Sequence, residues 1–229
     1  MRYIVAVFLV NAFIFLCPVH ASGLFHDSGR SSVSMTTQYA FSGNDTRGFL
    51  LGSTLSLGGI LDLDYGVLET QYYGGSSRSS IIGGTLYVLR NTATQPFSLG
   101  FGVSYQPNAQ HIDIPIASFN GSEFTSVNGS VDTEVLSIGC VASYALLSKP
   151  DYQILVVGTV SDIAQKRTIS GSSLFNNLSD TTHSWAASGS FCFVNSLTKN
   201  LKGVVGTMLS SVDGQPLGVG ISGTLTYVF

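Results

Sequence analysis

Apolar and small polar residues alternate with a period of two along most of this chain. In FSLGFGVSY, residues 97–105, Phe97, Leu99, Phe101, Val103 and Tyr105 alternate with Ser98, Gly100, Gly102 and Ser104. Successive strand side chains point to opposite faces. One face is therefore aromatic and aliphatic, while the other carries only Ser and Gly. WAASGSFCF, residues 185–193, repeats the pattern. In the closing stretch Leu217, Val219, Ile221, Leu225, Tyr227 and Phe229 share one face, and Gly218, Gly220, Ser222, Thr224 and Thr226 the other. A helix reading fails here. Apolar positions do not recur at three- and four-residue steps, and Gly and β-branched residues disfavour helix.

The alternation predicts about ten strands, near 32–41, 47–58, 61–73, 80–89, 97–105, 134–146, 152–161, 184–193, 201–210 and 217–229. Most reach the roughly 9–11 residues that a tilted strand needs to cross a bilayer. The connections alternate between the two ends of such a structure. Those around 59–60, 90–96, 147–151 and 194–200 are short. Two on the opposite end, Gln106–Thr133 and Asp162–His183, are long and rich in Ser, Asn, Gly and Asp. Loops beyond about 15 residues are uncommon in compact domains, and short turns at one end with longer loops at the other mark a transmembrane barrel.

Composition points the same way. Charged residues make up 10% of the chain, against roughly 25% in ordinary globular proteins, so much of the exterior is expected to face something other than water. A soluble sandwich or lipocalin-like barrel would expose the Ser/Gly/Thr faces, where charge is expected instead. The net charge of −3 gives no basic footprint for nucleic acid. Aromatic residues gather near predicted strand ends: Tyr39, Phe41, Phe49, Tyr65, Tyr73, Phe97, Tyr105, Tyr144, Tyr152, Trp185, Phe193 and Tyr227. That placement suggests two interfacial girdles.

The N-terminus reads as a leader. Arg2 precedes an apolar run from Tyr3 to Cys17, Pro18 breaks it, and Val19-His20-Ala21 suits signal-peptidase cleavage before Ser22. Residues 1–21 are thus expected to be a signal peptide and 22–229 a single barrel domain. Leu16 is too bulky for a lipoprotein signal at Cys17. Cys140 and Cys192 lie in separate apolar segments and read as small packed residues, not as a bridge.

The chain at this point resembles a small bacterial outer-membrane β-barrel protein, in the OmpA/OmpX-like or porin-like superfamily. The leader, the alternating strands and the final Thr224-Leu225-Thr226-Tyr227-Val228-Phe229 carry the resemblance. It implies a closed antiparallel transmembrane β-barrel of about ten strands, with eight to twelve in range, a periplasmic C-terminus and location in the outer membrane of a Gram-negative cell. It also implies that Tyr227 and Phe229 form the assembly signal read by the barrel-assembly machinery. The usual pattern has Gly five positions before the end; this chain has Thr224 there and Gly223 one residue earlier. Outer-membrane lipid is the other implied partner.

Candidate chemistry is sparse. Gly218, Gly220 and Gly223 spell G-x-G-x-x-G, but a dinucleotide loop needs a helix after the glycines, and the few residues that follow alternate with period two. The match is accidental, with Gly223 breaking the outward row at a bend. His26, His111 and His183, with Glu123, Asp132, Asp162 and Asp180, show no nucleophile–base–orienter spacing and no zinc-ligand spacing. No catalytic, cofactor-binding or metal site is assigned, and no enzyme activity is expected. The sequons at Asn44, Asn120, Asn128 and Asn177 read as ordinary polar loop residues in a bacterial protein. Asp62, Asp64 and Lys202 are candidate lumen charges, in a lumen expected to be mostly Ser, Gly, Thr and Ala. Three functions stay open. One is a structural or porin-like barrel with a narrow, weakly charge-selective pore. Another is a surface adhesin or interaction protein binding an extracellular ligand through 106–133 and 162–183. The third is an outer-membrane enzyme acting on lipid or peptide.

Overall fold

The computed structural model describes residues 29–42, 46–72, 75–92, 95–117, 124–171, 178–213 and 215–229. The leader segment, His26, Asn44, Tyr73, Asn120, Glu123 and Asn177 lie outside the described residues. Ten strands follow one another: β1 (Ser32–Ser42), β2 (Thr46–Leu57), β3 (Leu61–Tyr72), β4 (Gly75–Leu89), β5 (Phe97–Ala117), β6 (Phe124–Ser148), β7 (Tyr152–Gly171), β8 (Leu178–Ser196), β9 (Leu201–Val212) and β10 (Gly218–Val228). Each pairs antiparallel with its sequence neighbours, and β1 pairs with β10 to close the barrel.

The register fixes the tilt. From Ser34 the cross-strand row runs one way through Thr226 and Lys202 to Ser196 on β8. The other way it runs through Thr54, Asp64, Gly83, Ser104, Ser137 and Ile163 to Ser184 on the same strand. The two arrivals differ by 12 residues, 196 less 184. With ten strands, ~3.3 Å per residue and ~4.8 Å between strands, that stagger tilts the strands by about 40°. β10 runs through Gly218, Gly220 and Gly223 as a regular strand, Gly223 pairing with Thr37. The expected bend there is absent, because a single missing side chain on the outer face leaves the ladder intact. At the β2–β3 turn, Gly58 and Gly59 both have positive φ (59° and 63°) and Ile60 N–H bonds Leu57 O. Two central residues of that kind make the type I′ turn whose twist suits a tight hairpin.

Burial is inverted relative to a water-soluble protein. On β1, Ser34 is 1% exposed while Met35 beside it is 62% exposed. Val33, Tyr39 and Phe41 face out, and Ser32, Thr36 and Gln38 face in. The same holds around the barrel, where Leu51, Leu63, Ile82, Phe101, Ile138, Val156, Phe191, Val205 and Ile221 are exposed. Unsupported by lipid, so continuous an apolar exterior would far exceed the few hundred Å² that soluble monomers tolerate. Lipid removes that cost, and closure leaves the sheet without an edge in the span, so that each strand has a partner on both sides. Tyr39, Phe41, Phe49, Tyr105 and Trp185 ring one end, and Tyr144, Tyr152, Phe193, Tyr227 and Phe229 the other, all exposed.

One expectation needs correction. The stretches 106–133 and 162–183 are mostly strand, not loop. β5 and β6 pair continuously from Phe97↔Tyr144 to Ala117↔Phe124, and β7 and β8 from Tyr152↔Asn195 to Ile169↔Leu178. Above the lipid a ladder needs backbone partners but no apolar face, so alternation loses its hydrophobic signature there while β-branched residues continue. Apolar clusters also stand in the lumen among its Ser and Thr residues. Tyr87, Ala145, Leu155, Val157, Cys192, Val194 and Val204 form an apolar cluster toward the short-turn end. Ala40, Leu50, Leu68 and Met208, and separately Val135, Ile163, Ala186 and Val212, form two more toward the other end.

Candidate functional site

Two regions carry side chains outside ordinary lipid contact: the lumen and the projecting part of β5–β8. In the lumen, Asp62 is fully buried on β3 and accepts a hydrogen bond from the Tyr87 phenol. Asp64, two residues on, points to the same side, and the Thr54 hydroxyl donates to its Oδ1 at 2.7 Å. Lys202 is half-buried on β9, in the same cross-strand row as Asp64 through Thr54, Ser34 and Thr226. Hydroxyls link that row, Ser34 to Thr226 at 2.8 Å, and the next one, Thr36 to Thr224 at 2.9 Å. Buried polar groups are stable only when paired in this way.

Tyr87 is the residue that sequence reasoning missed. A Cβ on Gly100 would lie 2.9 Å from its Cδ1, so the ring rests directly on the glycine backbone. Position 87 carried no signal of its own, because an inward aromatic interrupts an otherwise outward aromatic pattern. Between Tyr87 and Val141 below and Leu50 and Ile81 above lies a cavity of about 120 Å³, walled by Gly66, Gly83, Gly102, Gly139 and several hydroxyls.

At the other end, β4 pairs with β5 only as far as Ile82↔Tyr105. Pro107 follows and offers no N–H, which ends the ladder on that side. Beyond this point β5–β8 continue as a four-stranded sheet. Its outer face changes from Val103, Ile138, Val160 and Trp185 to charged residues. There Lys166 Nζ sits 3.5 Å from Glu134, the Tyr105 hydroxyl donates to Glu134 at 3.0 Å, and His183 Nδ1 lies 3.6 Å from Asp162. All are solvent-exposed, so each contributes little to stability. The inner face carries one row across four strands, Asn108, Thr133, Arg167 and Asp180. Burial pulls the Arg167 guanidinium below its usual pKa, and the Asp180 charge opposes that pull.

His111 and Asn128 lie on the paired backbone of β5 and β6, and their side chains lie outside what the structure describes. Asp132 is exposed on the outer face of β6. Cys140 and Cys192 are not joined in a disulfide. Among the described residues no three His, Cys, Asp or Glu side chains gather as a metal site. Tyr227 and Phe229 point outward at the short-turn end, 52% and 59% exposed, with Phe229 N–H bonding Ser31 O beside the closing seam.

No protein-family model and no curated protein matches the chain. Among solved structures it is similar to the translocator domain of the autotransporter NalP from Neisseria meningitidis, at 14% identity and a TM-score of 0.54, covering 98% of this chain and 96% of that one. It is also similar to Neisserial surface protein A, at 12% identity and a TM-score of 0.38, covering 87% and 96%. A third is Ail, the attachment invasion locus protein of Yersinia pestis, solved with the heparin analogue sucrose octasulfate, at 14% identity and a TM-score of 0.34, covering 88% and 99%. The first likeness shows the fold alone, a closed antiparallel β-barrel, here with an apolar exterior.

Proposed function

We propose that the barrel is a membrane-anchored scaffold whose working part is the projecting sheet of β5–β8, which binds an extracellular ligand. The observation that carries this reading is the difference in strand length. β1, β2, β3, β9 and β10 have 11 or 12 residues, whereas β5–β8 have 19 to 25. Twelve residues at ~3.3 Å each are enough to cross a bilayer when tilted, so the surplus serves no membrane requirement. Ordering it costs about 1–2 kcal/mol per residue in backbone entropy, and a structural barrel has no need of it. In this reading outer-membrane lipid holds the barrel, the barrel-assembly machinery inserts it through Tyr227 and Phe229, and no catalytic step is involved.

The test is a pair of shortened hairpins, one joining Asn108 to Thr133 and the other Arg167 to Asp180 through two-residue turns. The doubly shortened protein should refold and keep its heat-shifted gel mobility. It should lose binding to immobilised serum and extracellular-matrix proteins that the full chain retains. Undiminished binding would remove this reading.

A narrow pore is the second reading, favoured by the 120 Å³ cavity at mid-lumen. Passage would require the apolar clusters above and below it to part.

A further inference from the structure

We infer that the mid-lumen cavity is a binding site for a small organic ammonium ion, held by the Asp64 carboxylate with its short apolar body between Ile81 and Val141. The site lies inside the barrel, apart from the projecting sheet, and stands or falls independently of the surface-interaction reading.

Two adjacent inward rows build the cavity wall. One runs through Asp64, Gly83, Ser104 and Ser137 across β3–β6. The next runs through Gly102, Gly139 and Ser161 across β5–β7. Each of these residues lines the cavity. Gly83, Gly102 and Gly139 place no side chain inward, so the wall recedes at those points. Leu50 and Ile81 close the space above, and Tyr87 and Val141 close it below. Its volume, about 120 Å³, approaches the ~150 Å³ of an engineered protein cavity that binds benzene. That is far more than one inorganic ion fills, and it suits a molecule of about five to eight non-hydrogen atoms.

The polar groups specify the occupant. Asp64 accepts from the Thr54 hydroxyl at 2.7 Å. An ionised carboxylate has about four acceptor positions, so it can also take donors from inside the cavity. Ser161 is 7% exposed, and its Oγ meets no hydrogen-bond partner among the described residues. A buried hydroxyl of that kind is costly unless something in the cavity pairs with it.

The balance of charge points to a cation. Below the projecting sheet, the inward charges on the described strands are Asp62, Asp64 and Lys202, two carboxylates and one ammonium. The Tyr87 phenol donates to Asp62 as a neutral group and leaves that imbalance in place. Unbalanced charge away from water is costly, and a cation beside Asp64 offsets it. An anion would add to the excess, and a neutral alcohol would leave it unchanged. The apolar ends at Leu50, Ile81 and Val141 offer no oxygen ligands to a metal ion and fit an alkyl group.

The probe is n-butylammonium chloride, titrated against the full barrel in lipid nanodiscs, with n-butanol and sodium butyrate as neutral and anionic counterparts. Methyl resonances of Leu50, Ile81 and Val141 report the cavity. Ile82, 58% exposed beside Ile81, faces the lipid and reports partition into the bilayer. The ammonium should shift the three cavity methyls saturably, with a Kd of about 1 mM for a ligand of so few atoms, and leave Ile82 unchanged. The alcohol and the carboxylate should bind at least about tenfold more weakly, the equivalent of one charge-assisted hydrogen bond. Asp64→Asn keeps an acceptor for Thr54 and removes the charge. It should weaken the ammonium by the same factor and leave butanol unaffected. Asp151→Asn, at the exposed β6–β7 turn, should bind as the native chain does. Absence of saturable cavity shifts overturns the inference, as do shifts that Ile82 shares in step. Equal binding of butanol overturns it, as does native-like binding by a folded Asp64→Asn or equal weakening by Asp151→Asn. Sodium chloride that reproduces the shifts at the same concentration would assign the site to an inorganic cation and also overturn it. If Asp64→Asn does not fold, the comparison of the three probes on the native chain decides alone.

Discussion

Gly139→Ala is expected to destabilise the barrel by about 2–3 kcal/mol, the upper part of the range for overpacking, although it adds one methyl group. Ala145 N–H bonds Pro96 O, so odd residues of β6 direct their backbone groups to β5. Toward β7 they occupy non-hydrogen-bonded sites, where facing Cα atoms approach to about 4.5 Å. Gly139 faces Ser161 at such a site. An added Cβ would lie 2.6 Å from Ser161 Cβ and closer still to the Val160 carbonyl oxygen. Backbone cannot step aside as a flexible side chain can. Gly189→Ala is the matched control, since its Cβ would meet nothing within 4 Å; a change within about 0.5 kcal/mol is expected there. Urea unfolding of the two variants refolded in lipid vesicles, read by gel mobility, checks the pair. Equal midpoints for Gly139→Ala and the native chain would show that β6 and β7 are not pinched at this point.

Gly139 also shows how far the sequence could be read. Its strand was legible, because Leu136, Ile138 and Tyr144 alternate with small residues and lipid demands an apolar outer face. Phe191, Trp185 and Tyr227 were legible for the same reason, and with them the barrel and its closing strand. The upper halves of β5–β8 were not. Once a strand leaves the lipid its outer face can be Glu134, Lys166 or His183, and nothing periodic in hydropathy remains. A trace did exist in HIDIPIA, residues 111–117, where Ile112, Ile114 and Ile116 still alternate, but the prolines and the surrounding Ser and Asn concealed it. The placement of Asp62, Asp64 and Lys202 on inward positions followed from parity alone. The apolar filling around them did not follow, because the inner face has no solvent to enforce its character: Leu155 and Tyr87 fill volume that Ser or Gly would leave open, and which strand supplies them depends on how the tilted rows meet across the lumen.

The largest effect on behaviour is expected from removing that filling. Leu155 is fully buried and Tyr87 5% exposed, in one cluster at the short-turn end. These side chains fill the lower lumen, so the native barrel in a planar bilayer should give no steady current. Tyr87→Ala/Leu155→Ala deletes the two largest side chains of the cluster. Each truncation costs about 2–5 kcal/mol when the neighbours cannot collapse, and here the closed ladder holds the wall in place. The space they vacate adjoins the 120 Å³ cavity above. Removing Tyr87 also withdraws the phenol that donates to Asp62, leaving a carboxylate that water must solvate. Together these changes should wet the lower lumen and join it to the cavity, leaving the upper clusters around Leu50, Leu68 and Met208, and around Val135 and Ile163, as the remaining barrier. Brief openings are then expected in the double variant, and sustained current when Leu68→Ala is added. Steady conductance in the native chain would mean that the clusters part under voltage, and would return the narrow pore to first place. Silence in the triple variant, with its heat-shifted mobility intact, would mean that the lumen recloses by collapse, so that the scaffold's rigidity does not lie in its ladder.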